Sequence, residues 1–136
     1  MKTIMTLALA IVLSTALSAA QYTKKERLED MRAMTNALSH MQKTLVGQCK
    51  TCLYKGAEEL VLALRALDSV DAEDYLPKEQ ASAHKFATKT AKSIKVYTNA
   101  MVKAYEEKDY FEAIDMYGLI LNQCASCHMR VRDWNK

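Results

Sequence analysis

Cys124-Ala125-Ser126-Cys127-His128 is the segment best suited to chemistry. Two thiols three positions apart, with an imidazole directly after the second, form the C-x-x-C-H pattern by which c-type haem is attached. The spacing follows from the task. Each thiol must form a thioether with one vinyl group on the porphyrin edge, and the imidazole must reach the iron. On a helix, positions i, i+3 and i+4 share a face, so Cys124, Cys127 and His128 project together. A second pair, Cys49-Lys50-Thr51-Cys52, has Leu53 where such a motif would have His. Two other readings compete with haem. One is a plain Cys124–Cys127 disulfide beside an incidental His. The other is a tetrahedral zinc site built from both C-x-x-C pairs. Zinc pairs of this kind usually sit on glycine-containing turns, whereas Cys124 and Cys127 fall within a helical stripe, which favours haem. For Cys49 and Cys52 a disulfide is expected. A second haem with a distant ligand and a regulatory or intermolecular thiol are the alternatives.

The start of the chain supplies a compartment that suits this chemistry. Lys2 gives a positive start, Ile4 to Leu17 is apolar, and Ser18-Ala19-Ala20 offers small residues for cleavage. Residues 1–20 therefore read as a secretory signal peptide. The uncharged run from Thr3 to Thr23 is about the length of a membrane span, so an uncleaved anchor is the competing reading. Thr3, Thr6, Ser14, Thr15 and Ser18 dilute that run and favour cleavage after Ala20. A single domain, residues 21–136, would then be released to the periplasm with no stable membrane insertion. An oxidising compartment turns paired thiols into disulfide or cofactor material.

The elements that must hold the motif are helical. The chain has 136 residues, 50% hydrophobic and 26% charged, with 3 Gly and 1 Pro. So few turn residues cannot build a sandwich or barrel, and isolated glycines exclude a phosphate-binding loop. The first helix is expected over Lys24 to Leu45, with Leu28, Met31, Met34 (or Thr35), Leu38, Met41 and Leu45 as its stripe and Gly47 near its end. The second is expected over Gly56 to Leu67, with Ala57, Leu60, Val61, Leu64 and Leu67. Asp68 to Leu76 reads as an acidic loop. The third runs from Pro77, suited to a first turn, to Glu106, with Ala83, Phe86, Thr90, Ile94, Tyr97, Met101 and Ala104. The fourth runs from Tyr110 to Arg132, with Asp109 as N-cap and Ala113, Tyr117, Ile120, Cys124, Cys127 and Val131 inward. Four amphipathic helices with short connections point to an all-α, antiparallel four-helix bundle carrying haem near the end of its last helix.

A bundle ending in C-x-x-C-H resembles the class II cytochromes c, the cytochrome c prime family. The resemblance covers Arg27 to Arg132. His128-Met129-Arg130-Val131-Arg132 keeps the family's basic residue but has Val131 where the family has an aromatic. Arg27 and Met31 match the family's first-helix arginine and, four residues later, the side chain over the distal face of the iron. Met34 and Leu38 continue that match, and Tyr105 to Ala113 resembles the turn before the family's last helix. The resemblance implies a covalent haem on Cys124 and Cys127, with His128 and Met31 as axial iron ligands and Arg27 and Arg132 as propionate partners. A methionine at the distal position belongs to the six-coordinate, electron-carrying branch. A non-ligating residue there gives five-coordinate iron that binds small gases such as nitric oxide or carbon monoxide. Met34 is the alternative sulfur, and core packing the alternative role for Met31. The expected partners are redox proteins, and family members often pair as homodimers through their first two helices.

The remaining polar residues carry weaker signals. His40 and His84 lie off their main stripes and read as solvated or hydrogen-bonded. Tyr97, Tyr105 and Tyr117 read as core or pocket residues. Lys85, Lys89, Lys92 and Lys95 read as a solvated face, with steering of an acidic redox partner as the alternative. The net charge of +3 is spread out, with no basic run to mark a nucleic-acid surface. No Ser/His/Asp order or paired-carboxylate motif suggests an enzyme.

Overall fold

The computed structural model describes residues 22–69 and 72–131, which are all-helical, with no strand among them. The signal peptide over 1–20 and the propionate role of Arg132 lie outside the described residues. Helix α1 spans Lys24–Leu45. It starts at a reciprocal cap: Thr23 Oγ1 accepts from the Glu26 N–H at 3.2 Å, while the Glu26 carboxylate accepts from the Thr23 N–H at 2.6 Å. It ends where Gly47 adopts φ 74°, a left-handed conformation that favours glycine.

Helix α2 spans Cys52–Ala63, and α3, Arg65–Asp68, continues it after a break at Leu64. The expected start at Gly56 is thus corrected by four residues. Gly56 lies inside α2 for a packing reason. A Cβ there would come within 2.6 Å of the Ala37 carbonyl oxygen and 2.7 Å of Met41 Cγ. The glycine lets α1 and α2 approach closely, and its neighbours Leu53 and Leu60 are fully buried. The expected loop contains a short helix, α4, Ala72–Tyr75.

Pro77 is also corrected. It sits outside the helix at φ −55°, ψ 148°, and a 3₁₀ segment, Lys78–Ala83, precedes α5, His84–Glu106. With no side-chain cap, the segment closes on itself: the Gln80 N–H donates to the Pro77 carbonyl, and His84 Nδ1 lies 2.8 Å from the Ala81 carbonyl. Helix α6, Tyr110–Val131, begins as expected at Asp109, whose Oδ1 accepts from the Glu112 N–H at 3.1 Å.

Two helix pairs dominate the packing, α1 on α2 and α5 on α6. Both run antiparallel. His40 pairs with Glu59 across the first, and Phe86 lies under the Arg130 guanidinium at 4.6 Å across the second. The pairs join where α2 and α3 meet α5, and where the Tyr117 hydroxyl donates to the Leu38 carbonyl at 3.2 Å. The buried line of α1 is Met34, Ala37, Met41 and Thr44, rotated from the expected stripe. Small residues such as Ala37 sit where α2 approaches. Met31, Leu38 and Leu45 are left half-buried against the core. Helix α5 shows the same shift, burying Ala87, Thr90, Ala91, Ile94, Thr98, Met101 and Ala104 and leaving Phe86 and Tyr97 half-exposed. Lys95 leaves the expected lysine face to pair with Asp68, tying α3 to α5.

Candidate functional site

A cavity of about 360 Å³ opens where the start of α1 meets the end of α6. Lys24, Arg27, Leu28 and Met31 come from successive turns of one α1 face. Cys127, His128 and Val131 come from the last turn of α6. Leu67 of α3 and the segment Tyr75-Leu76-Pro77 close the remaining side. Its size falls within the usual range for small-molecule and cofactor pockets. The walls are mainly aliphatic, with a cationic edge at Lys24 and Arg27 and three potential metal donors, the Met31 sulfur, the Cys127 thiol and the His128 imidazole.

The local sequence explains this convergence. Arg27 to Met31 is one helical step of four, as is Cys127 to Val131, so each helix presents a column of side chains. Arg27 also builds the wall it belongs to. Its Nη1 donates to the Tyr22 carbonyl at 2.6 Å and to the Tyr75 carbonyl at 3.3 Å. The Tyr22 and Tyr75 rings pack at 4.9 Å. Together they hold the α4 segment against the start of α1. Tyr75 is only 2% exposed, and its hydroxyl is buried beside the Asp30 carboxyl, with neither atom in a well-formed hydrogen bond. Burial raises the Asp30 carboxyl above its ordinary range, against the lowering effect of the Tyr75 hydroxyl. Burial, reinforced by Asp30, pushes Tyr75 well above the usual phenol range.

Cys124 sits one turn before Cys127 and packs against the core. Burial pushes its thiol up to about 11, with a further contribution from Cys127, whose own thiol burial also raises. Both cysteines are free of any disulfide, while Cys49 and Cys52 are bonded to each other. The two C-x-x-C pairs do not converge. Cys127 faces the first half of α1 and Cys49 follows its last turn, roughly 20 Å away along the helix axis at 1.5 Å per residue. Among the described residues no group of three or more His, Cys, Asp or Glu could hold a metal ion. This placement gives no support to a shared zinc site.

The cavity thus gathers Arg27, Met31, Cys127 and His128 and places Cys124 one turn away. Met34 is 7% exposed in the core and does not line the cavity. His40 Nδ1 is 2.8 Å from Glu59, so it belongs to the α1–α2 packing. Tyr75, Leu76 and Pro77 were not expected at this site; Pro77 was expected only as the start of a helix. The available signal was an apolar triplet ending an otherwise acidic stretch. No helix among the described residues is long and apolar enough to cross a membrane. The chain matches no protein-family model, no curated protein and no solved structure.

Proposed function

We propose that the protein is an exported c-type cytochrome. It carries single electrons through one covalently held haem in an antiparallel four-helix bundle of α1, α2 with α3, α5 and α6. The observation that carries this reading is the cavity in which Met31, Cys127 and His128 meet although they come from opposite ends of the chain. A haem in this cavity would supply reversible one-electron transfer at its iron. Cys124 and Cys127 would hold it by thioether bonds, each S–H adding across one vinyl group of the porphyrin edge. His128 and Met31, from two different helices, would ligate the iron, a pairing that raises the reduction potential relative to other ligand sets. Leu28, Leu67, Leu76 and Val131 would exclude water. Lys24 and Arg27 place positive charge where propionate carboxylates would need it. On α5, Lys85, Lys89 and Lys92 line an open groove with Val96 and Tyr97, suited to steering an acidic redox partner.

One observation favours a second reading. Leu28 shares the cavity with Met31. A leucine over the open face of the iron, with Met31 as packing, would give a five-coordinate, gas-binding protein. Carbon monoxide titration of the ferrous protein separates the two. The electron carrier is expected to bind carbon monoxide slowly and weakly because Met31 must first be displaced. Fast, tight binding would replace it with the gas-binding reading, and absence of a Soret band would reject both.

A further inference from the structure

The Cys49–Cys52 disulfide lies outside the cavity and plays no part in the function proposed for it. Its two half-cystines are three residues apart, with Cα atoms at 5.4 Å, and both are partly exposed. A loop this short contributes little entropic stabilisation. The connection is also held without it. The Cys49 and Gln48 N–H groups both donate to the Lys43 carbonyl, and Thr44 Oγ1 donates to the Cys49 carbonyl at 2.7 Å. The bond can therefore open and close while α1 and α2 stay in place.

Its surroundings suit exchange. Cys52 is the first residue of α2, and Thr51 gives that helix no side-chain cap. The first-turn N–H groups are left open to a negative charge. Exposed Lys43 and Lys50 flank the pair in sequence and add positive charge, while Lys55 is engaged by Glu59 at 3.8 Å. Reactive cysteines sit in partly exposed, electropositive settings of this kind, whereas inert ones are buried.

We propose that Cys49 and Cys52 are a redox-active pair that accepts two electrons from a dithiol by thiol–disulfide exchange. A thiolate of the dithiol attacks Cys49 Sγ. The Cys49–Cys52 bond breaks, and its electron pair leaves on Cys52, where the start of α2 stabilises the thiolate. The second thiolate of the dithiol then attacks its own sulfur in the mixed disulfide and releases Cys49. The two thiol protons end on Cys49 and Cys52. The dithiol is oxidised to a disulfide and the protein is reduced by two electrons. The chemistry needs no haem, so it stands or falls independently of the cavity.

The test uses the full chain, oxidised with oxidised dithiothreitol, desalted, and then mixed with reduced dithiothreitol at neutral pH. Samples are quenched in acid, alkylated and mapped by peptide mass, so that labels are assigned to Cys49 and Cys52. The pair is expected to open roughly tenfold faster in the folded protein than in the urea-unfolded chain, because the folded leaving group is stabilised. Far-ultraviolet circular dichroism is expected to stay unchanged on opening. Opening at or below the unfolded rate, or loss of helicity when the bond opens, would make the disulfide structural and overturn the proposal.

Discussion

Met31 comes from the first helix and His128 from the last, yet both line one cavity, and this meeting gives single side chains testable roles. Met31→Ala is expected to keep its covalent haem, lose the methionine–iron absorption of the ferric protein, and bind carbon monoxide quickly. Met34→Ala, a core change away from the cavity, is expected to keep that absorption. An unchanged spectrum in Met31→Ala would assign Met31 to packing. Asp30 offers a second residue-scale test. Its folded carboxyl is raised above the unfolded one by burial. Across the window between the two, the folded chain holds a proton that the unfolded chain has released. Stability therefore falls as pH rises through that window. Asp30→Asn is expected to flatten this slope and to be more stable than the parent at neutral pH. Urea denaturation followed across mildly acidic to neutral pH measures both effects.

At the scale of elements, the two helical glycines make opposite predictions. Gly56 sits at the α1–α2 crossing, where a Cβ meets the Ala37 carbonyl at 2.6 Å, so Gly56→Ala should destabilise by about 1–3 kcal/mol through overpacking. Gly118 in α6 has nothing within 4 Å of a new Cβ, so Gly118→Ala should stabilise by about 0.5–1 kcal/mol through helix propensity. Equilibrium unfolding of both variants tests the pair; equal signs would contradict the packing described. The same glycines show what the sequence could reveal. The α6 start was legible because Asp109 is a local capping signal; the α1 start followed from the apolar stripe that begins at Leu28, and its Thr23 cap emerged only in the structure. Gly56 misled because its reason is a neighbouring helix, which no local pattern contains. The buried lines of α1 and α5 shifted for a related reason: Ala37, Ala87 and Ala91 bury where helices approach closely, while larger residues sit at the edges. At the cavity, the spacing of Cys124, Cys127 and His128 was readable within one helix. Arg27 and Met31 could be singled out only by resemblance. Tyr75, Leu76 and Pro77 reach the cavity through an irregular segment whose path periodicity does not encode.

Taken as a whole, the molecule places a lysine-lined groove on α5 and the cavity near the end of α6, and the Phe86–Arg130 contact joins those ends of the two helices. If the groove guides a redox partner, Lys89→Glu with Lys92→Glu should slow electron exchange with an acidic partner roughly tenfold or more at low ionic strength. The difference should shrink as salt screens it, and stopped-flow rates across a salt series check this. Equal rates at low salt would show that the groove does not guide the partner. In the function proposed above, the last turns of α6 carry a covalent haem against the first turns of α1. Intact-mass measurement with peptide mapping, on protein exported from a host that assembles c-type cytochromes, tests it most directly. One haem per chain is expected, on the peptide containing Cys124 and Cys127, and none in the Cys124→Ala, Cys127→Ala double variant. A wild-type chain of bare polypeptide mass, or covalent haem that survives loss of both cysteines, would contradict it.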